Sequence, residues 1–410
     1  MSKIDTRFVL VRLHRYAGLA TALFLIVAGL TGTVIAFSAE LDAWLNPELL
    51  TVASKAPPLM PDALALKVSA QLPDAQVSYL PLDTEPGEAA VVRVEGRDGK
   101  ELPYDQVFVD TTDGRVLGKR EWGQCCFARE RIIPFLYLTH YSLSMPGVWG
   151  ILLMGIVSLI WAVDCFVGFT LSLPRGGPFW RKWAPAWLIK TDASTHRLNV
   201  DLHRAAGLWL WGVLFVVALS GVALNLPDQV FRPLVSVFSP LKPSMLETAA
   251  SRFQAHPKPA LLSFDDAIAR AAEAAHRPIK VTGVLHYPEY AAYGVGFAAP
   301  GENGRDGMGS SWLYIDDRTG KVVAQDLMGE GSAGDVFMQA QYPLHSGRIL
   351  GLTGRIVVSV TGLVVAMLSL TGILIWLKKR RAAGVHRQRL RARELLQDHA
   401  AGGVAGAEGA

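Results

Sequence analysis

Four stretches of the chain, residues 17–37, 148–173, 205–226 and 356–377, run for about twenty residues with almost no charge. Each is long enough to cross a hydrocarbon core of about 30 Å as a helix. Lipid offers backbone polar groups no partner, so only helices and closed barrels span it, and these runs lack the period-two alternation of barrel strands. The pattern predicts four transmembrane helices. Between the first and second runs, and again between the third and fourth, short amphipathic and alternating stretches predict two α+β lobes. "LSFDDAIARAAEAAHR" from Leu262 is the clearest lobe helix, with Ser263 or Asp265 near its start.

Charge orients these elements. Lys3, Arg7, Arg12 and Arg15 precede the first run, Arg175 to Arg204 fill the short connection between the second and third, and basic residues from Lys378 to Arg393 follow the fourth. With four alternating helices all three clusters fall on one side, which the positive-inside rule makes cytoplasmic. The net charge of +4 over 410 residues therefore expresses topology and contact with lipid rather than nucleic-acid binding. The resulting plan is an N-terminus and first helix at 1–38, a periplasmic lobe at 39–146, and a second helix at 147–173. A cytoplasmic linker at 174–203, a third helix at 204–226 and a second periplasmic lobe at 227–347 follow. The chain ends with a fourth helix at 348–377 and a basic, partly disordered tail at 378–410. The first helix is expected to stay as an anchor, since further spans follow it. Of three cysteines, Cys125 and Cys126 are adjacent, and inert thiols or a bond to a partner are the plainer expectation than a vicinal ring.

The chain also matches itself. "LHRYAGLATALFLIVAGLTGTVIAF" from Leu13 aligns without gaps on "LHRAAGLWLWGVLFVVALSGVALNL" from Leu202, with ten of twenty-five positions identical. Apolar bias does not explain His14-Arg15 over His203-Arg204, Gly18 over Gly207, or Thr31-Gly32 over Ser220-Gly221. "VFVDTTDGRVLG" from Val107 resembles "LYIDDRTGKVVA" from Leu313, each a strand–turn–strand. The expectation is an internal duplication: helix, lobe, helix, twice over.

The duplication pairs four histidines. His14 and His203 begin the first and third helices and share the cytoplasmic depth; His140 and His345 precede the second and fourth and share the outer depth. Two histidines at one depth on neighbouring helices suit the axial positions of a haem. At helical spacing the face of His14 carries Gly18 and Gly32, and that of His203 carries Gly207 and Gly221, leaving room for a macrocycle. Arg15, Arg204, Arg348 and Arg355 are candidates to neutralise its propionates, Arg355 above all because charge inside a span is costly. Polar anchoring at the interface, helix packing through the glycines, zinc binding, and replacement of His203 by His196 stand as alternatives. Without a CxxCH motif any haem is b-type, so the cofactor expectation is two haem b.

The "LHRxxGL" helix starts, the "PFLYLTHYSL" segment, the paired "D-x-x-x-G-[RK]-V" turns and the four-helix plan resemble the PepSY-associated transmembrane proteins. Within that family the likeness is to inner-membrane ferrisiderophore reductases and iron-regulated membrane proteins. The resemblance covers about residues 8–380; "PLHSGRILG" around His345 departs from it by lacking the tyrosine of "THYSL". It implies an oxidoreductase of the bacterial inner membrane that passes electrons to periplasmic iron(III) held by a siderophore or another chelate, with both termini cytoplasmic. It also implies that His14, His203, His140 and His345 ligate haem iron. No dinucleotide-binding GxGxxG follows a strand, so the electron donor, a quinol, soluble reductase or small carrier, is external. A membrane-anchored PepSY module that binds or restrains a peptidase is the competing function.

Overall fold

The computed structural model describes residues 5–126, 128–243, 248, 251–254 and 258–407; Lys3 of the first basic cluster lies outside them. The chain opens with α1, Thr6–Ile35, whose thirty residues at about 1.5 Å rise each exceed the thickness of a hydrocarbon core. His14 thus lies inside a helix rather than at its start. Next come α2 (Ser38–Leu45), α3 (Pro61–Gln71) and strands β1 (Ala75–Pro81), β2 (Ala90–Gly96), β3 (Gln106–Val109) and β4 (Val116–Arg120). A separate helix, α4 (Arg129–Ser142), carries His140 near its end and stops where Leu143 turns left-handed, ahead of α5 (Trp149–Ser172).

The third apolar run departs from expectation. It is two helices, α6 (Thr195–Trp209) and α7 (Trp211–Asn225), bent by 72° at Leu210. Gly207 and Gly212 flank the break, and glycine is the weakest helix former after proline. The chain continues through α8 (Phe264–Ala275), β5 (Lys280–Tyr287), β6 (Ala292–Ala298), β7 (Ser311–Asp316) and β8 (Val322–Asp326). His345 sits on the short α9 (Gln341–Ser346), which precedes α10 (Gly351–Ala407). The tail expected to be partly disordered is helical as far as Ala407, in keeping with its alanine, leucine and arginine content.

Among the described residues three helices, those beginning at Thr6, Trp149 and Arg348, are long and apolar enough to cross a membrane, or four if the bent pair is one span. Their side chains agree: Leu23, Ile156, Val163, Val360 and Leu370 are each about half exposed or more. Apolar surface repeated along a helix in this way requires lipid rather than water against it.

The strands of both lobe segments join in one antiparallel sheet, ordered β4-β3-β2-β1-β5-β6-β7-β8. The two lobes expected from the sequence are therefore fused, through Tyr79↔Leu285, Leu80↔Val284 and Pro81↔Gly283. Alternate residues of β2 and β7 are buried, as a sheet with one covered face requires. Leu64 and Val68 of α3 and Ala267 and Ala271 of α8 pack with Val77, Leu80, Val92, Val284, Val295 and Ile315 as the core. Asp62 of α3 accepts the backbone N–H groups of Phe264 and Asp265 at the start of α8, and Ser263 closes that end as a capping box with Asp266. Arg120, buried in β4, donates to Asp42 of α2 at 2.8 Å and to Gln106 at 2.9 Å. Cys165 is free.

The chain divides into two compact units. Met1–Gly29, Ile160–Phe215 and Leu363–Ala410 form one; Leu30–Leu159 and Val216–Gly362, with the sheet, form the other.

Candidate functional site

The first unit brings His14 and His203 together, their ring centroids 6.1 Å apart and their planes 63° from parallel. Each ring is held by Nδ1. The Asp164 carboxylate of α5 accepts from His14 Nδ1 with both oxygens at 2.9 Å. For His203, the Leu368 carbonyl and the Thr371 hydroxyl of α10 each lie 3.0 Å from Nδ1. Thr371 spends its own proton on the Met367 carbonyl, so the imidazole must donate. That fixes the tautomer and leaves Nε2 with its lone pair, the arrangement of a metal-ligating histidine steadied by an outer hydrogen bond.

Glycines make the seats. A Cβ on Gly168 would stand 3.4 Å from His14 Cε1, and one on Gly372 would stand 3.4 Å from His203 Cε1. Gly168 lies one turn beyond Asp164, and Gly372 one turn beyond Leu368, so holder and seat share a helix face.

A cavity of about 570 Å³ opens beside the pair, within the range of cofactor pockets. His14, His203, Gly18, Gly207, Arg15 and Arg204 all line it, as the sequence predicts of one shared site. His196 does not. Arg7 and Lys379 add two cations that sequence reasoning passed over; Arg7 also donates to the Leu171 and Leu173 carbonyls at the end of α5. Arg204 donates to Asp201 and to the Pro185 carbonyl, while its buried Nε has no partner among the described residues. Trp161, Phe169, Trp211 and Trp376 supply aromatic walls.

The second unit brings His140 and His345 together at 6.0 Å and 61°. Here hydroxyls stand at Nδ1, Thr31 at 3.1 Å for His140 and Ser220 at 2.9 Å for His345, and the Val217 carbonyl also accepts from His345. Ser220 donates to the Val216 carbonyl at 2.7 Å, so His345 also donates from Nδ1. Gly32 does not leave a vacant space, as expected, but seats the imidazole itself: a Cβ there would lie 2.9 Å from His140 Cε1. A Cβ on Gly221 would meet Ser158 Oγ at 2.8 Å and His345 Cε1 at 3.8 Å.

The other two predicted arginines, Arg355 and Arg348, make contacts of their own. Arg355 donates through Nε to the Ala36 carbonyl at 2.8 Å and through Nη2 to Glu40 at 2.7 Å, and it lies over the Phe37 ring. Its hydrogen bond holds the Glu40 carboxyl below the usual carboxylate range. Arg348 donates to the Arg305 carbonyl. Neither lines the cavity.

Asp164 was the main omission, and its signal was present: an acid inside an apolar span is costly and needs a partner. Among the described residues no three His, Cys, Asp or Glu side chains gather as a metal site, so zinc has no ligand set here. Two paired imidazoles can instead bind one metal from opposite sides. A family model described as the PepSY-associated TM region matches residues 11–379. No curated protein matches the chain.

Proposed function

The chain belongs to the PepSY-associated transmembrane family, and from that premise we propose that it is a membrane haem b protein delivering electrons to iron(III) held by a siderophore or another chelate. The reading takes the bent α6–α7 pair as a third span in a duplicated four-helix plan. It puts the basic clusters and both termini in the cytoplasm of a bacterium and the sheet in the periplasm. One observation carries it: two histidine pairs, each with centroids about as far apart as one shared metal demands. Two imidazoles bound through Nε2 at about 2.0 Å, each with its ring centre about 1.1 Å behind the nitrogen, have centroids about 6.2 Å apart.

The residues fit two haem b. His14 and His203 would hold one and His140 and His345 the other, each ring kept in register by its Nδ1 partner. Arg15 and Arg204, which line the cavity, would neutralise the acidic groups of such a cofactor. The apolar and aromatic walls exclude water around it. When bound, the two groups supply one-electron carriers within a single chain. Iron(II) binds hard oxygen chelators far less tightly than iron(III), so a one-electron reduction releases the metal. The donor is external: a quinol, a soluble reductase or a small carrier.

The test is the optical spectrum of detergent-purified protein, oxidised and dithionite-reduced, with a pyridine haemochrome count. Sharp b-type bands, close to two haems per chain, and reoxidation by a ferric siderophore are the expected result. Colourless protein from haem-replete cells would overturn the redox reading and leave the sheet as a binding or regulatory module.

A further inference from the structure

The four imidazoles are not held alike. His203, His140 and His345 have neutral oxygens at Nδ1: the Leu368 carbonyl with the Thr371 hydroxyl, the Thr31 hydroxyl, and the Ser220 hydroxyl with the Val217 carbonyl. His14 has a carboxylate, with both oxygens of Asp164 at 2.9 Å. The Asp164 side chain is 12% exposed, and His14 is its one ion-pair partner among the described residues. At the matching place on α10, one turn before the seat glycine, stands Leu368. A neutral residue therefore suffices to hold and seat an imidazole in this chain. Asp164 keeps a charge where an apolar span makes it expensive.

We propose that Asp164 is a positioning residue that makes His14 the strongest electron donor of the four histidines, so that the His14–His203 site has the lower reduction potential of the two. This rests on the reading that each pair ligates a haem. The physical cause is that a carboxylate draws on the Nδ1–H and moves electron density to Nε2, more than a hydroxyl or carbonyl does. A more basic axial ligand and a nearby negative charge both favour the ferric state. The consequence is direction: electrons run downhill from the His14–His203 site to the His140–His345 site.

The experiment is a potentiometric titration of full-length, detergent-purified wild type, Asp164→Asn and Asp164→Glu, followed optically after haem per chain has been counted. Asparagine keeps an acceptor for Nδ1–H and removes the charge, so a role limited to orienting the ring leaves the potentials unchanged. The expected result is two haems in all three proteins and two resolved potentials in wild type. The lower potential should move upward in Asp164→Asn and stay low in Asp164→Glu, with the upper one unmoved. Two retained haems with both potentials unchanged in Asp164→Asn, or a shift confined to the upper one, overturns the proposal. Should Asp164→Asn lose a haem, His14→Ala decides. The haem that His14→Ala retains must titrate at the upper wild-type potential, and retention of the lower one overturns the proposal. Wild type without haem refutes the underlying reading instead, and the count separates that case before any titration begins.

Discussion

The two histidine pairs reach nearly the same ring separation, 6.1 and 6.0 Å, by opposite division of labour. In the first, α1 and α6 carry the imidazoles, and α5 and α10 supply holder and seat. In the second, the short helices α4 and α9 carry the imidazoles, and α1 and α7 supply holder and seat as adjacent residues, Thr31-Gly32 and Ser220-Gly221. The holders differ in one respect: a carboxylate holds His14 in one unit, whereas the hydroxyls of Thr31 and Ser220 stand at Nδ1 in the other. One ring separation is thus reached through different local means of holding a ring. Glycine is common to all four seats, and the space for a Cβ beside the ring runs from 2.9 Å at Gly32 through 3.4 Å at Gly168 and Gly372 to 3.8 Å at Gly221.

The sharpest way to break this comparison is to remove ligands one at a time. His14→Ala and His203→Ala should each lose the same one of two haems, and His140→Ala and His345→Ala the other, as read by haemochrome count and residual spectrum. Four variants that all keep two haems would end the ligand assignment. A smaller effect tests the seats. Gly32→Ala drives a methyl to within 2.9 Å of His140 and should cost about 1–3 kcal/mol of overpacking, with partial loss of that haem. Gly168→Ala, at 3.4 Å, should cost less than about 1 kcal/mol and keep both, measured as haem retention during heating. The holders come next. Ser220→Ala leaves His345 the Val217 carbonyl and Thr371→Val leaves His203 the Leu368 carbonyl, so each should cost only about 0.5–1.5 kcal/mol. The smallest effect belongs to Arg355→Gln. It breaks an ion pair whose Glu40 is 56% exposed, costing about 0–1 kcal/mol with both haems retained. Loss of a haem there would return Arg355 to the cofactor site.

Much of the site was legible because the duplication repeats it. Self-alignment of α1 with the third apolar run exposed the histidines and the Thr-Gly and Ser-Gly dipeptides together, although it misread Gly32 as space for a macrocycle rather than for His140. Asp164, Gly168, Thr371 and Gly372 were missed because they lie on α5 and α10, where Asp164 aligns with Leu368 and the repeat loses its polar marks. The pairing of Arg355 with Glu40 escaped because the two are far apart in the chain, and hydropathy says nothing of which distant acid meets a buried base. The fused sheet escaped for a similar reason. Alternation along a strand reports a buried face, but not which strand lies along an open edge.

That shared edge bears on how the protein comes into being. During synthesis β1 is made long before β5, and until Leu285 arrives the edge at Tyr79 offers unpaired backbone donors and acceptors. The first half is therefore an unfinished product, with an adhesive side, for as long as the second is being made. Ribosome and insertion machinery must carry it through that interval, and closing the sheet is a late, long-range step. A gene cut at the connection between the halves would yield two fragments that need each other, each also able to stick to its own kind.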